Sequence, residues 1–175
     1  MLINLSDILS QDGKEMQVQA TLEMDKFHTF DGDYEFAGKQ PVELHLMNQG
    51  KKQLLVEAKT KLSIWIPCAR CLEPVKTSFH IQCEYEIDMS QSEEDRIENL
   101  DENNFIKENS LDVEQLIYNE ILVRWPMRVL CKDDCQGICS HCGKNLNKGT
   151  CNCETRELDP RMAAISDIFS KFKEV

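Results

Sequence analysis

The chain has 175 residues and a formal net charge of −11, and hydrophobic residues make up 41% of it. That length and composition fit one compact domain, with or without a small appendage, and exclude a wholly disordered chain. No run of about 18 apolar residues occurs, so no segment is predicted to cross a membrane. The first residues, MLINLSD, lack the basic and apolar regions of a secretory signal, and we expect a cytoplasmic protein.

Most of the negative charge lies in one segment. Residues 84–120 contain thirteen acidic residues against two basic ones, whereas the rest of the chain is nearly neutral. A solvated loop is the ordinary explanation of such a block. The alternative is a surface for a basic partner, such as a ribosomal protein.

Alternation of apolar and polar residues dominates the first half of the chain and predicts β-strands. It first occurs at residues 16–24 and recurs at 42–46. Two longer alternating segments, 54–66 and 75–87, are separated by the sequence PCARCLEP at 67–74. This pattern predicts a β-hairpin that carries two cysteines at its tip.

The second half changes character. Residues 90–110 lose the alternation, are acidic and rich in asparagine, and are predicted to form a loop. Asp112, with Gln115 three residues later, has the spacing of a helix N-cap. The helix that begins there is predicted to end at about residue 124, because Pro126 cannot continue it. A second helix is predicted near the C-terminus, where Asp-Pro at 159–160 provides a capping acid and a first helical residue.

The predicted fold class is α+β: an antiparallel β-sheet or small barrel, followed by a helix, a cysteine-rich metal-binding loop and a C-terminal helix. Residues 1–89 form the predicted β domain with its Cys-x-x-Cys hairpin tip, and residues 90–110 form the acidic loop. Residues 111–175 form a helical segment whose cysteine-rich, zinc-binding loop packs on the β domain.

Nine cysteines in a chain that stays in a reducing compartment favour metal ligands over structural disulfides. Six of them fall within residues 131–153, together with three glycines. The sequence CSHCG at 139–143 has the spacing of a zinc knuckle, because two cysteines three residues apart can hold one ion and the glycine permits a tight turn. Zinc, as one or two ions, is favoured over an iron–sulfur cluster, which uses the same thiolate ligands.

Eight thiols are candidate metal ligands, enough for two four-ligand sites. They are Cys68, Cys71, Cys131, Cys135, Cys139, Cys142, Cys151 and Cys153. One arrangement joins the four cysteines at 139–153 in one site and the hairpin-tip pair with Cys131 and Cys135 in the other. A second arrangement joins the four cysteines at 131–142 and leaves the pair at 151–153 spare. The tip could also carry free thiols.

No enzyme active site is recognisable. The chain has no phosphate-binding glycine loop, no nucleophile elbow and no His-Glu-x-x-His motif. A catalytic zinc keeps an open coordination position, whereas a four-cysteine set is closed and structural. The remaining enzymatic alternative is thiol redox or redox-sensing zinc chemistry at Cys68 and Cys71, but a hairpin tip lacks the helix N-terminus that lowers a thiol pKa. Cys83 lies in phase with the apolar side of its strand and is predicted to be a buried core thiol.

Four motifs follow one another in order: CARCLEP at 68–74, LDVEQL at 111–116, the cysteine motifs at 130–153 and DPR at 159–161. Together they resemble the cysteine-rich type of the YceD family, the large ribosomal RNA subunit accumulation proteins. The resemblance implies a non-enzymatic accessory role in the accumulation or processing of large-subunit ribosomal RNA during ribosome biogenesis. It also implies that the metal loop is a stabiliser, because some members lack its cysteines.

The implied partner is large-subunit ribosomal RNA or its precursor, bound directly or through a ribosomal protein. The basic residues near the tip and the metal loop are the predicted RNA-binding set: Arg70, Arg124, Arg128, Lys132, Lys144, Lys148, Arg156 and Arg161. Trp125 could stack on a base, although a tryptophan at a helix end more often anchors a core. The alternative is an adaptor or chaperone that binds a basic ribosomal protein. No membrane contact and no small-molecule substrate are expected.

Overall fold

The computed structural model of the protein describes residues 1–90 and 104–153. Most of its regular structure is antiparallel β-sheet, which curls into a half-barrel, together with one long helix. The strands are β1 (Leu2–Asn4), β2 (Glu15–Ala20), β3 (Lys26–Thr29), β4 (Gly32–Lys39), β5 (Val42–Gly50), β6 (Gln53–Pro67), β7 (Pro74–Asp88), β8 (Ile106–Lys107) and β9 (Ser110–Asp112). The helices are α1 (Ser6–Leu9) and α2 (Val113–Val123). Neither described helix has the length and apolar character needed to span a membrane.

The long strand β6 organises the main sheet. On one side it pairs with β7 along its whole length, from Gln53 opposite Asp88 to Pro67 opposite Pro74. On its other side, its first half pairs with β5 and its second half with β4. β2 continues the sheet beyond β5, and β3 continues it beyond β4. The predicted hairpin is confirmed, with its two prolines at the strand ends, where a missing N–H is least costly.

Helix α2 packs against β7 and contributes its apolar side to the core. Its N-terminus forms as predicted, because the Asp112 side chain accepts a hydrogen bond from the backbone N–H of Gln115 at 3.4 Å. The helix ends at Val123, shortly before Pro126, which also confirms the prediction. The buried apolar residues of the helix are Val113, Leu116, Ile117 and Ile121.

Trp125 anchors the segment after α2 to the core. Its ring stacks on Phe27 and Phe79, with centroid distances of 5.0 and 5.9 Å, and it contacts Tyr34 at 5.0 Å. The indole is therefore engaged by other aromatic rings, which is the role that the sequence favours for it.

A buried acid joins α2 to β7. Glu120 is only 4% exposed, and its carboxylate accepts hydrogen bonds from the Tyr85 hydroxyl and the Arg124 guanidinium. Arg124 also donates to the backbone carbonyl oxygen of Gln82 in β7 at 3.3 Å. This network fixes the C-terminal end of the helix on the sheet, and it satisfies a charge that would be costly to bury alone.

The strand predicted at 16–24 is too long, because β2 ends at Ala20. Beyond that residue the main chain leaves the sheet, since two side chains take up its hydrogen-bonding groups. The Glu114 carboxylate accepts hydrogen bonds at 2.7 and 3.1 Å from two N–H groups of residues 22–24. Lys39 donates to two carbonyl oxygens of the same segment at 2.9 and 2.8 Å.

The segment predicted as a loop at 90–110 is described only at its two ends. Its C-terminal end contains β8 and the start of β9, which form a small antiparallel sheet with β1. Because β1 lies more than 100 residues before β8 and β9 in the chain, no local sequence pattern indicates this pairing. Residues 91–103 lie outside the described residues, as does the predicted C-terminal helix.

His45 on β5 lies between two carboxylates. Its Nδ1 is 2.9 Å from Glu57 Oε2 and its Nε2 is 3.2 Å from Glu15 Oε2. Hydrogen bonds to Glu57 and then Glu15 raise the pKa of the imidazole above 6.5. A raised pKa in the folded state means that protonated His45 stabilises the fold fully below pH 6.5, and that this stabilisation is lost as the pH rises through the raised pKa.

We therefore expect the His45→Gln variant to lose this part of the pH dependence of the free energy of unfolding. A proton NMR titration of the wild-type ring should give a pKa above 6.5. A ring pKa at or below that value would show that the two carboxylates do not hold the imidazolium.

Candidate metal centres

Eight of the nine cysteines form two groups of four. Site A consists of Cys68, Cys71, Cys131 and Cys135, and site B consists of Cys139, Cys142, Cys151 and Cys153. Within each site the four sulfur atoms lie within 4.8 Å of one another. The thiols thus group as in the first arrangement considered from the sequence, and the set at 131–142 is divided between the two sites.

The spacing of the sulfur atoms suits metal coordination and does not suit disulfides. In site A, Cys68 Sγ is 3.8 Å from Cys135 Sγ, and Cys71 Sγ is 3.5 Å from Cys131 Sγ. A disulfide bond has a sulfur–sulfur distance of about 2.05 Å. With zinc–sulfur bonds of about 2.3 Å, a regular tetrahedron places its sulfur atoms about 3.8 Å apart. Both clusters could therefore hold metal ions, and a ligand set of four soft thiolates is consistent with zinc.

The turn between β6 and β7 brings the first two ligands of site A together. The backbone N–H of Cys68 donates to the carbonyl oxygen of Glu73 at 2.9 Å, and the N–H of Leu72 donates to the carbonyl oxygen of Cys68 at 3.0 Å. Leu72 takes a positive φ of 61°, which closes the turn after Cys71. The tip is thus a compact backbone turn, and its two thiols are buried.

The other two ligands of site A come from the segment after α2, which docks on the tip. The N–H of Ala69 donates to the carbonyl oxygen of Val129 at 2.8 Å, and Arg70 Nη1 donates to the carbonyl oxygen of Cys135 at 2.8 Å. Gly137 has a φ of +79°, and a Cβ there would lie 3.1 Å from the carbonyl oxygen of Arg70. Glycine therefore permits both the turn and the close approach to the tip.

A second layer of polar side chains holds the ligands of site A in place. Asn147 Nδ2 donates to Cys135 Sγ at 3.2 Å. Across the site, Glu73 accepts from Lys148 Nζ at 2.5 Å and from Asn145 Nδ2 at 3.2 Å, and these contacts hold the pKa of Glu73 below its usual range. Such outer contacts orient the ligands of metal sites. Sequence reasoning missed Glu73, Asn145 and Asn147, although all three lie in the cysteine motifs.

Site B is built locally within residues 139–153. The N–H of Gly143 donates to the carbonyl oxygen of Cys139, and the N–H of Cys139 donates to the carbonyl oxygen of Lys144, both at 2.9 Å. Gly143 has a φ of +72°, the conformation for which the sequence pattern requires glycine. His141, between the two knuckle cysteines, is exposed.

Hydrogen bonds favour ionisation of some of these thiols. In site A, burial opposes ionisation of Cys135, but hydrogen bonds from Asn147 and the backbone N–H of Gly137 lower its pKa. Burial opposes ionisation of Cys68, but the N–H groups of Arg70 and Cys71 lower its pKa to about 6. In site B, the knuckle N–H groups at 141–142 lower the pKa of Cys139 to about 6. Hydrogen bonding to the charged form is the physical cause in both sites.

Cys131 in site A and Cys153 in site B show the opposite effect. The neighbouring sulfur of Cys71 raises the pKa of Cys131 to about 12, and that of Cys142 raises the pKa of Cys153 to about 12. Four thiolates at this spacing repel one another, so the protein's own groups do not favour full ionisation of either cluster. A bound dication would offset that repulsion and deprotonate all four thiols.

Cys83 lies outside both sites. Its Sγ is 3.9 Å from the carbonyl oxygen of Ala58, and the side chain is half-buried against the core. Burial raises its pKa to about 12. The thiol is therefore less enclosed than the sequence pattern predicts, but its environment keeps it protonated.

Most of the predicted RNA-binding residues that the structure describes form hydrogen bonds or ion pairs with other groups of the chain. Their partners are the Cys135 carbonyl oxygen for Arg70, Glu120 for Arg124, Asp134 for Lys132, the Thr150 carbonyl oxygen for Lys144 and Glu73 for Lys148. Arg128 is exposed and forms no ion pair with a described residue. Arg156 and Arg161 lie outside the described residues.

Comparison with known proteins places this arrangement in a family. The family model described as "Large ribosomal RNA subunit accumulation protein YceD" matches residues 56–169. Uncharacterized proteins from Mycobacterium bovis and Mycobacterium tuberculosis are 28% identical over 101 residues, which cover 58% of this chain and 48% of theirs. The chain thus spans about half the length of the curated relatives it matches, and no solved structure matches it significantly. Because the matched residues contain the hairpin tip, α2 and both four-cysteine sites, and amount to more than half of the chain, the chain belongs to the YceD family.

Proposed function

We propose that the protein is a non-enzymatic accessory factor for the accumulation or processing of large-subunit ribosomal RNA, acting in the cytoplasm during ribosome biogenesis. Membership of the YceD family over residues 56–169 is the observation that carries the proposal, because the family's description names large-subunit ribosomal RNA. The described part of the match contains most of the β6–β7 hairpin, α2 and both four-cysteine sites.

We also propose that sites A and B each hold one zinc ion. Four thiolates fill every position of a tetrahedral zinc ion and leave none for substrate or activated water. Such sites stabilise a fold, which supports a binding protein over a hydrolytic enzyme. Site A would fasten the hairpin tip to the segment after α2, and site B would fold the loop that follows.

The thiol redox alternative requires an accessible thiol of low pKa. The pKa of Cys68 is lowered to about 6, but its side chain is fully buried within site A. A buried thiolate among three other ligands is suited to holding an ion and is poorly placed to attack a disulfide in another protein. This geometry favours the structural role.

An adaptor for a basic ribosomal protein is the second candidate. The end of the β6–β7 hairpin away from the tip, which we call its lower end, supports this candidate. Glu84 and Glu86 are exposed there, and Glu57 lies directly opposite Glu84. Recovery of a basic ribosomal protein by pull-down after nuclease treatment, lost on deletion of residues 90–109, would favour the adaptor over direct RNA contact.

The main proposal is tested by quantifying ribosomal RNA in cells that lack the gene for this chain. We expect the amount of large-subunit RNA to fall relative to small-subunit RNA, and the wild-type gene to restore it. A Cys83→Ala gene should restore it equally, since Cys83 lies outside both metal sites. An unchanged ratio of the two RNAs in the deleted cells would refute the proposal.

A further inference from the structure

The outer face of the β6–β7 hairpin carries a row of exposed cations beside an exposed tryptophan. Lys59 and Lys61 occupy alternate positions of β6 and therefore point to the same side of the sheet. His80 on β7 lies opposite Lys61. Lys76 on β7 lies opposite Trp65. All five side chains are exposed, and they share one face because directly paired residues of neighbouring strands point to the same side of a sheet. We call these five residues the cationic face.

The lysines of this face are free to bind a partner. Among residues 1–90 and 104–153, none of the three forms an ion pair or a hydrogen bond through its Nζ, unlike most of the basic residues around the metal sites. Lys59, Lys61 and His80 border a cavity of about 530 Å³. One acid, Glu43, lies opposite Lys59 on β5 and lines the same cavity without forming an ion pair.

The charge of the hairpin changes sign along its length. Between Glu57 and Glu84 the chain contains a single acid, Glu73, and that carboxylate already binds Lys148. At the lower end Glu57 and Glu84 face each other, and Glu86 follows. The positive region therefore begins at Lys59 and continues toward the tip, although the whole chain is acidic.

The chain has two tryptophans. Trp125 is packed among aromatic rings, whereas Trp65 is 41% exposed. It borders a second cavity, of about 610 Å³, together with Pro67 and Pro74. The far side of this cavity carries Asp31, Asp33 and Glu35, with Lys26 beside them. These acids would confine an anionic ligand to the Lys76 side of the indole.

We propose that the cationic face binds single-stranded RNA, with Trp65 stacked on a base and the lysines in contact with phosphates. Alternate residues of a strand lie about 6.8 Å apart, which is the spacing of Lys59 and Lys61, and Lys76 lies two such steps beyond Lys61, on β7. The three lysines are thus distributed along the hairpin, where an extended sugar–phosphate backbone can follow them. An exposed aromatic ring beside lysines on a sheet is a recurrent way of holding unpaired bases. A duplex would offer its phosphates but no free base for the indole. The identification of this RNA as ribosomal rests on the proposed function.

The phosphate contacts are tested with two matched double variants of the full-length, zinc-loaded chain. Lys59→Gln with Lys61→Gln removes two cations of the face, and Lys51→Gln with Lys52→Gln removes two exposed lysines from the turn at the other end of β6. Binding of fluorescein-labelled polyuridylate is followed by anisotropy over a range of salt concentrations. We expect only the first pair to weaken binding, with a salt slope smaller by about 1.4, since each phosphate contact in a single strand contributes about 0.7. Equal affinities and slopes for the two pairs would overturn the proposal.

The stacking contact is tested at Trp65. We expect Trp65→Ala to weaken binding of polyuridylate by about 5- to 160-fold, and Trp65→Phe to retain most of the affinity. Because Trp125 is packed in the core, RNA should quench mainly the fluorescence of Trp65, and the quenching should vanish in Trp65→Phe. Wild-type affinity in Trp65→Ala would overturn the proposal.

Two further probes separate RNA from other anions. An RNA duplex should bind more weakly than the single strand, and polyglutamate should compete poorly with it. Competition by polyglutamate at a similar concentration of charge would identify an acidic protein as the partner and would overturn the proposal. Failure of the proposed function is a separate result, because the ribosomal RNA ratio in deleted cells does not depend on these binding measurements.

Discussion

Replacing Cys71 with serine should release one of two zinc ions and detach the hairpin tip from the segment that follows α2. Cys71 is 4% exposed and belongs to site A, whose four thiols come from two segments far apart in the chain. Structural zinc binding is worth about 10–16 kcal/mol in zinc-finger peptides. Loss of one thiolate should therefore cost more free energy than any single core contact and should leave Cys68 in an incomplete site.

Metal analysis and amide hydrogen exchange check this result. We expect one zinc ion per chain instead of two, and much faster exchange at residues 68–73 and 129–137. Cys83→Ala is the matched control, because it removes a half-buried thiol outside both sites and should keep both ions. Cys142→Ser should also release one ion but leave exchange at the tip slow, since Cys142 belongs to site B. Two ions in the Cys71→Ser protein would contradict the assignment of site A.

The second large effect is expected at the buried carboxylate of α2. Arg124→Met should lower the free energy of unfolding by about 3 kcal/mol, because among the described residues it leaves the buried Glu120 charge with the Tyr85 hydroxyl as its one side-chain hydrogen-bond partner. We expect the lower end of the range for broken buried ion pairs, because the Arg124 side chain is 35% exposed while that of Glu120 is only 5% exposed.

Urea unfolding with Arg128→Met as the control measures this effect, since Arg128 is exposed and has no described ion pair. Adding Glu120→Gln to Arg124→Met should recover part of the loss, because the buried charge is then removed. An Arg124→Met protein as stable as the Arg128→Met protein would show that the pair contributes little. Because Arg124 also belongs to the predicted RNA-binding set, a charge-reversing substitution there would destabilise the fold. A loss of RNA binding in such a variant would therefore not identify Arg124 as an RNA contact.

Local patterns were sufficient where the interacting residues are close in sequence. The hairpin of β6 and β7 was predictable because two long alternating segments flank one short turn, and α2 because Asp112 and Pro126 delimit it. The small sheet of β1, β9 and β8 was not predictable, since its strands are two or three residues long and β1 lies more than 100 residues before the other two. Strands this short carry no usable periodicity.

The candidate sites divide along similar lines. Spacing identified the eight thiols and made one arrangement of them the more economical, but it did not exclude the second. Only the fold brings Cys68 close to Cys135. The cationic face was not predictable from β6 alone, because alternating lysines are common on the solvent side of a strand and the face is completed by Lys76 and His80 of β7. The role of Arg124 was also visible in principle, because Glu120 precedes it by four residues in a helix.

Site A has a consequence for how the protein is made. Cys68 meets a partner 67 residues later in the chain, and Cys71 meets one 60 residues later. While the chain is being translated, the sheet can form before Cys131 and Cys135 have been synthesised. During that interval site A is incomplete, and the thiols of Cys68 and Cys71 are open to oxidation. Site B needs only residues 139–153 and can close as soon as they emerge. With an ion in site A, as proposed, the end of the hairpin would be the last part of the sheet to be fastened in a nascent polypeptide, and its maturation would depend on the supply of metal at that moment.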